Sequence, residues 1–138
     1  MMKKIKIAIF GGDKRQEYLA QMLSEKFDIQ TFAVYENNMN LEDLHKKFDV
    51  YIFPLPISKD NIHLNTKFEE KQIKLLEIMK KIPPRSLILG GNVTESVKSL
   101  FSTNGLEIID YWQREQLAIL NAVPIALSEN LFTLRKYH

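Results

Sequence analysis

The hydrophobic positions of the chain gather into five short runs separated by helical or polar stretches. These runs occupy residues 5–10, 29–34, 50–55, 87–89 and 106–109. They are apolar, partly β-branched and mostly bounded by glycine or proline, which is typical of strands buried on both faces of a sheet. Because proline has no N–H to donate to a sheet ladder, Pro54 predicts that the third strand stops near Phe53.

Between these strands, apolar residues at helical spacing predict helices. One helix begins at Asp13, which with Gln16 resembles a capping box. A second is capped by Asn92 with Glu95 and closed by Gly105. The remaining helices are predicted at residues 41–48, 69–82 and 113–120, with a last one from Pro124 towards Tyr137, and residues 57–67 form a long polar loop.

Alternation of strands and helices predicts an α/β fold. We expect a three-layer, parallel five-stranded sheet of the Rossmann-like or flavodoxin-like kind, with right-handed crossovers and a C-terminal helix. No repeat or internal linker interrupts the pattern, so residues 1–138 are expected to form a single domain. In such a sheet the carboxyl ends of all strands share one edge, where ligands bind.

Composition narrows the classes of partner and compartment. The net charge of +2 gives no reason to invoke nucleic acid or an anionic membrane, and no run approaches the roughly 18 apolar residues of a membrane span. The chain has no cysteine, which excludes disulfides and thiolate sites and suits the cytoplasm. Its three histidines form no close ligand pair, so no metal site is expected.

Two glycine pairs, at residues 11–12 and 90–91, stand directly before predicted helix starts. Glycine allows a sharp turn and close approach of a ligand, and a helix N-terminus offers free N–H groups with partial positive charge. Arg15 or Lys14 adds a charge-assisted contact suited to a carboxylate. The pattern indicates a small anionic ligand; the alternative is that the glycines only make turns and both cations are solvated.

The sequence lacks the motifs that mark several kinds of nucleotide-binding and phosphate-accepting site. Gln16 stands where the dinucleotide fingerprint needs its third glycine. A receiver domain needs an acceptor aspartate at the end of the third strand, whereas here Asp49 precedes that strand.

After the fifth strand, Arg114 and Glu115 begin a helix; Glu115 either accepts a proton or only complements the helix dipole.

Four segments resemble the dipicolinate synthase A-subunit family. Residues 11–16 resemble its Gly-Gly-Asp-x-Arg-Gln opening, and Leu55-Pro56 with the polar loop after it also fits, as does the stretch 68–91. Residues 114–124 resemble its Arg-acidic-x-x-Ala-Ile-x-Asn-x-Ile/Val-Pro segment. The likeness covers nearly the whole chain in order.

The resemblance implies the N-terminal, substrate-side domain of an NADP-dependent oxidoreductase. That enzyme converts a dihydrodipicolinate-type precursor to dipicolinate, a spore component, with a flavoprotein-like B subunit. NADP is expected from a C-terminal domain absent from this chain, which therefore holds no cofactor and is not expected to be active alone. The implied catalytic residue is Glu115, and the implied dicarboxylate-binding residues are Gly12, Asp13, Arg15, Gln16, Pro56, Gly91, Asn92, Arg114 and Asn121.

One departure from the family keeps a second hypothesis open. The family commonly continues Pro-Thr-x-Glu-Gly after this segment, whereas the chain reads Pro-Ile-Ala-Leu-Ser at residues 124–128. The alternative is a non-catalytic interaction or small-anion-binding module of the same fold. Its apolar last helix would dock on a flavoprotein-like partner or form a homodimer.

Overall fold

A computed structural model of the chain describes residues 5–35, 41–45, 47–68 and 72–110. Within them a single sheet has the strand order β2-β1-β3-β4-β5, and every neighbouring pair is parallel. This is the flavodoxin-like order, which confirms the predicted α/β class and parallel five-stranded sheet. The strands are β1 (Lys6–Phe10), β2 (Asp28–Phe32), β3 (Val50–Ile52), β4 (Leu87–Gly90) and β5 (Ile108–Asp110).

Side chains alternate between the two faces along each strand, so each strand presents apolar residues to both faces of the sheet. Helices cover both of these faces. Ile7 and Ile9 of β1 pack in one core with helix α1 (Lys14–Ser24). Ala8 and Phe10 belong to the opposite core, which contains side chains of α2 (Leu75–Met79) and α3 (Glu95–Thr103). A short 3-10 helix, Leu41–His45, also adds Leu44 to this second core. The three-layer arrangement is therefore confirmed.

Phe10 lies at the centre of an aromatic cluster near the carboxyl ends of the strands. Its ring stacks on Phe53, with centroids 4.6 Å apart, and on Phe32 at 5.3 Å. Phe53 in turn meets Phe101 of α3 edge-on at 5.4 Å. Because these rings come from the ends of β1, β2 and β3, the cluster fixes the strand ends from which the loops of the carboxyl edge depart.

Strand β2 ends at Phe32, earlier than the predicted span 29–34. The reason is Ala33, whose φ of 61° lies in the left-handed region and turns the chain out of the sheet. The Ala33 carbonyl does not pair within the sheet but accepts a hydrogen bond from the Thr66 hydroxyl at 2.9 Å.

The helix predicted at residues 69–82 is too long: of the described residues 72–82, only Leu75–Met79, which form α2, are helical. The backbone of Ile73 and Leu75 pairs instead with the long polar loop: Leu64 N–H donates to the Ile73 carbonyl, and Leu75 N–H donates to the Ile62 carbonyl. Apolar spacing predicted a helix here, but these long-range backbone bonds hold residues 72–74 extended.

The helix caps agree with the sequence in part. Asp13 caps α1 by accepting from Arg15 N–H, but Gln16 does not complete the capping box because its amide bonds elsewhere. Helix α3 is capped by Thr94, which accepts from Val97 N–H, and not by Asn92 as predicted. Gly105 follows this helix with a φ of 74°, as a closing glycine should.

None of the helices in these described ranges is both long and apolar enough to cross a membrane. The predicted helices at residues 113–120 and beyond Pro124 lie outside the described residues.

Replacing Phe10 with alanine is expected to destabilise the domain strongly. The ring is fully buried, so its removal leaves a cavity in the aromatic cluster and should lower the free energy of unfolding by about 3–5 kcal/mol. The control is Tyr18→Ala, which removes a ring that is 56% exposed and should change stability by no more than about 0.5 kcal/mol. Urea denaturation measures both; equal losses would contradict the assigned core.

Candidate functional site

The point where strand order reverses lies between β1 and β3. From β1 the chain crosses to β2 on one side, and β3 pairs with β1 on the other side. Loops leaving the carboxyl ends of these two strands diverge, and ligand sites of open α/β sheets form in the crevice between them.

Arg15 spans this crevice. Its Nε and Nη2 donate to the two carboxylate oxygens of Asp13 at 3.1 and 3.0 Å, and Nη2 also donates to the Leu55 carbonyl at 3.0 Å. The Arg15 side chain is 49% exposed. Hydrogen bonding to Arg15 holds the pKa of the Asp13 carboxyl below its usual value. The guanidinium is thus oriented at the crevice while its remaining nitrogen, Nη1, makes no hydrogen bond to a described residue.

Leu55 connects the first loop with the loop after β4. Its carbonyl accepts from Arg15, and its side chain packs so closely over Gly91 that a Cβ there would lie 2.4 Å from Leu55 Cδ1. The next residue, Pro56, follows a cis peptide bond. The structure therefore brings together the predicted site residues on the three loops that follow β1, β3 and β4.

The first glycine pair contributes a turn whose N–H groups are already bonded. Gly11 N–H donates to the Phe32 carbonyl at 2.8 Å, and Gly12 N–H donates to the Asn65 carbonyl at 2.7 Å. Gln16 is buried, and its Nε2 donates to the Phe10 carbonyl at 2.9 Å. These residues shape the crevice, but their donors are not directed at a ligand as the sequence suggested.

The turn after β4 is also internally bonded. Asn92 has a φ of 50°, and the next N–H, that of Val93, donates to Asp110 Oδ2 at 2.9 Å. The Thr94 hydroxyl donates to Asn61 Oδ1 at 2.7 Å, which ties the start of α3 to the long polar loop. Asn92 is exposed at the same edge as Arg15.

The polar loop at residues 57–68 crosses the carboxyl edge of the sheet and is firmly bonded to it. Asn65 N–H donates to the Ile57 carbonyl at 2.8 Å, and Asn65 Nδ2 donates to the Pro56 carbonyl at 2.9 Å. Thr66 forms a parallel bridge with Gly12. Sequence reasoning missed Asn65 and Thr66, because a polar loop carries no periodic signal that gives its long-range partners.

A second cluster of polar side chains lies on the same loop. Asp60 accepts from the N–H groups of Ile62 and His63 at 2.9 and 2.7 Å, and from the Ser58 hydroxyl at 3.0 Å. Its other oxygen contacts His63 Nδ1 at 2.6 Å. These bonds, led by that from the His63 backbone, lower the pKa of Asp60 far below its usual value. The spacing Ser-x-Asp-x-x-His was a signal for this turn.

A cleft of about 280 Å³ opens beside this Asp60–His63 pair. It is lined by residues of the polar loop and by one residue just before α2; they are Lys59, Asp60, His63, Leu64, Asn65, Thr66, Phe68 and Gln72. Asn65 and Thr66 separate this cleft from the glycine turn, because each contacts Gly12 with its backbone.

Three predicted site residues, Arg114, Glu115 and Asn121, lie outside the described residues. In the part of the chain that the structure describes, no group of three or more histidine or acidic side chains is arranged to hold a metal ion.

Residues 6–112 match the model of one protein family, which describes the N-terminal domain of the dipicolinate synthase A subunit. The chain belongs to this family. The match covers the first glycine turn, Arg15 and the loop after β3, and so confirms the resemblance seen in the sequence. No curated protein sequence matches the chain.

Solved structures of two family members have the same fold. The dipicolinate synthase A subunit from Bacillus subtilis superposes with a TM-score of 0.69 at 19% identity, covering 98% of this chain and 49% of that one. Its counterpart from Bacillus halodurans gives 0.67 at 19% identity, covering 98% and 50%. This family domain thus spans about half the length of either solved chain.

Receiver domains share the fold as well. A two-component response regulator from Clostridium difficile gives a TM-score of 0.57 at 18% identity, covering 93% of this chain and 98% of its own. This likeness concerns architecture alone, because β3 of the family domain is followed by Phe53 and Pro54 and not by an acceptor aspartate.

Alanine at Gly12 is expected to disturb the first loop much more than alanine at Gly105. Both glycines have left-handed φ values, 81° and 74°, but a Cβ at Gly12 would lie 2.3 Å from Gln16 Cγ, whereas nothing lies within 4 Å of one at Gly105. Gly12→Ala should therefore lower unfolding free energy by about 1–3 kcal/mol more than Gly105→Ala. Denaturant titration of both variants measures the difference, and equal losses would contradict the packing.

Asp60→Asn is expected to cost stability at neutral pH and progressively less in acid. Since the folded pKa of Asp60 lies below its ordinary value of 3.8, its stabilising contribution is present above that pH and is lost as pH falls through the folded pKa. The measurement is the difference in unfolding free energy between wild type and Asp60→Asn, taken at pH 7 and again well below the ordinary pKa. A difference that did not shrink in acid would contradict the assigned bonds.

Proposed function

We propose that this chain is the substrate-side domain of a dipicolinate synthase A-like, NADP-dependent oxidoreductase. Its task would be to bind the dicarboxylate that is oxidised from a dihydrodipicolinate-type precursor to dipicolinate during sporulation. Membership of the family supports the proposal, and the observation that carries it is the orientation of Arg15 across the crevice between β1 and β3.

The bonding of Arg15 suits recognition of a carboxylate. A guanidinium offers five N–H donors in a planar fork, and Asp13 together with the Leu55 carbonyl engages those on Nε and Nη2. The Nη1 side then meets one substrate carboxylate in a charge-assisted contact. Asp13 acts here as a positioning residue, because its own negative charge disfavours direct contact with a dicarboxylate.

A second substrate carboxylate requires further donors at the same edge. Asn92 is exposed after β4, in a loop that shares Leu55 with Arg15, and its amide offers two N–H donors. Pro56 and Gly91 would shape the wall of the site between them. Arg114 and Asn121 stay predicted ligands, and Glu115 stays the predicted proton acceptor, on the grounds of the family's motif alone.

The oxidation itself needs a hydride acceptor, which in this family is NADP. The described residues contain no glycine turn that could bind the pyrophosphate of such a nucleotide. The N–H groups of Gly11 and Gly12 are bonded to carbonyl oxygens, and Gln16 fills the space that a pyrophosphate would need above Gly12. The residues at this turn do not fit NADP. We therefore assign NADP to a different domain, and assign to this chain only the binding and orientation of the substrate.

Partners and compartment follow from the same proposal. A flavoprotein-like B subunit would be the protein partner, and the cytoplasm the compartment, since a cysteine-free chain suits a reducing environment. A homodimer is the other assembly that we consider.

A non-catalytic module is the second candidate function. The observation in its favour is the sequence Pro-Ile-Ala-Leu-Ser at residues 124–128, where the family commonly has Thr and Glu in a Pro-Thr-x-Glu-Gly segment. Such a module would keep the fold and the anion site, and it would bind a partner protein without contributing to the reaction.

Titration calorimetry with dipicolinate tests the proposed site directly. We expect saturable binding by the wild-type chain at millimolar ligand, and binding weakened about tenfold or more in Arg15→Ala, because one charge-assisted contact is lost. The matched control is Lys14→Ala, which removes an exposed neighbouring cation and should leave the affinity within about threefold.

Two results would reject the substrate-binding role. One is the absence of any binding by the wild-type chain at millimolar dipicolinate. The other is an equal loss in Arg15→Ala and Lys14→Ala, which would indicate attraction by general positive charge and not by an oriented guanidinium.

A further inference from the structure

Asn65 of the polar loop lies where the two sides of the Arg15 crevice meet. On the β1 side, its backbone carbonyl accepts from Gly12 N–H at 2.7 Å. On the β3 side, its backbone N–H donates to the Ile57 carbonyl at 2.8 Å, and its Nδ2 donates to the Pro56 carbonyl at 2.9 Å. One residue therefore joins the two loops that diverge at the reversal of strand order.

The groups that orient Arg15 are direct chain neighbours of the residues bonded to Asn65. Asp13, whose carboxylate accepts from Nε and Nη2 of Arg15, directly follows the bonded glycine. Leu55, whose carbonyl accepts from Nη2, directly precedes the bonded proline. The bonds of Asn65 thus fix the separation of the two acceptors. Because the guanidinium is planar and rigid, this separation also sets its direction.

The side-chain amide of Asn65 can face the Pro56 carbonyl in only one way. A carbonyl oxygen accepts and never donates, so the NH₂ group and not Oδ1 must lie against it. Asn65 is half-buried, which shields this bond partly from water. Replacing the side chain removes this one bond and leaves both backbone bonds of the residue in place.

Other side chains attach the polar loop to the β1 side of the crevice. The Thr66 hydroxyl donates to the Ala33 carbonyl at 2.9 Å, and Lys67 Nζ pairs with Glu17 of α1 at 2.9 Å. These contacts keep the loop in place when the Asn65 amide is removed. The change is then confined to the hold on the β3 side.

We infer that Asn65 is a positioning residue of the crevice, which acts through Arg15. Its amide holds the Pro56 peptide, and with it the Leu55 carbonyl that the guanidinium contacts, so Nη1 keeps its direction towards the ligand. The inference rests on the proposed function, because the ligand that this direction serves is the dicarboxylate. Asn65 acts through the guanidinium and needs no contact with the ligand itself.

The test is titration of the full chain with dipicolinate, followed by amide chemical shifts. Asn65→Ala should weaken binding about fivefold, because the guanidinium loses part of its fixed direction. The matched control is Asn104→Ala, which removes the same kind of bond, from Nδ2 to the Leu100 carbonyl at 2.8 Å. Asn104 follows α3, which leads to the amino end of β5, so it lies at the other edge of the sheet and binding should change by no more than about twofold.

Two comparisons separate positioning from a merely structural role. Both variants lose one amide-to-carbonyl bond, so urea denaturation should give stability losses of the same order, and a structural role predicts equal affinities. Asn65→Ala combined with Arg15→Ala should bind no more weakly than Arg15→Ala alone, because the group through which Asn65 acts is already absent.

A spectroscopic measurement needs no ligand. It follows the Arg15 Nε–H resonance, assigned by its loss in Arg15→Ala. In the wild-type chain this proton is bonded to Asp13. In Asn65→Ala we expect the resonance to shift and the proton to exchange faster with water, whereas Asn104→Ala should change neither.

Three outcomes would overturn the inference. They are equal affinities in Asn65→Ala and Asn104→Ala, an Arg15 Nε–H resonance that Asn65→Ala leaves unchanged, and a double variant that binds more weakly than Arg15→Ala alone. Absence of dipicolinate binding by the wild-type chain is a different failure, because it rejects the proposed dicarboxylate site. The Nε–H resonance then still decides whether Asn65 orients the guanidinium.

Discussion

Parallel pairing of every neighbouring strand is the constraint on which the arrangement of this domain depends. Because all the strands run in one direction, the loops after β1, β3 and β4 leave from one edge. The aromatic cluster around Phe10 holds the ends of these strands in register, so the loops start from fixed points. Arg15 can therefore reach the Leu55 carbonyl although the two residues are 40 positions apart in the chain.

Local sequence signals predicted the sheet well, because each strand is specified by its own residues. Runs of apolar, β-branched side chains closed by glycine or proline are needed wherever a strand is buried on both faces. The predicted placement of the glycine turns and Arg15 at a common edge followed from this topology alone. These signals did not predict the exact end of β2 at Phe32, where the left-handed φ of Ala33 turns the chain out of the sheet and its carbonyl accepts a hydrogen bond from distant Thr66.

The conformation of the loop at residues 57–68 could not be predicted from the sequence, for a physical reason. Its conformation is set by bonds to Gly12 and Ala33, which are distant in the chain, and to the segment at 72–75, whose pairing with the loop has no periodic signal. Of the helix predicted at 69–82, the same bonds keep the described residues 72–74 out of the helix, because backbone groups already paired with the loop cannot make helical bonds. They also occupy the N–H of Gly12, so the glycine turn that suggested an anion cradle serves as an anchor for the loop instead.

The contact between Leu55 and Gly91 links the volumes of two positions that are far apart in sequence. Leucine fits at 55 only because position 91 has no side chain, and any β-carbon at 91 would overlap it. Natural sequences that carry alanine or serine at 91 should therefore have a smaller residue at 55, in a compensating exchange of volume. Such paired variation between the two loops would be a mark of this packing in the evolutionary record of the domain.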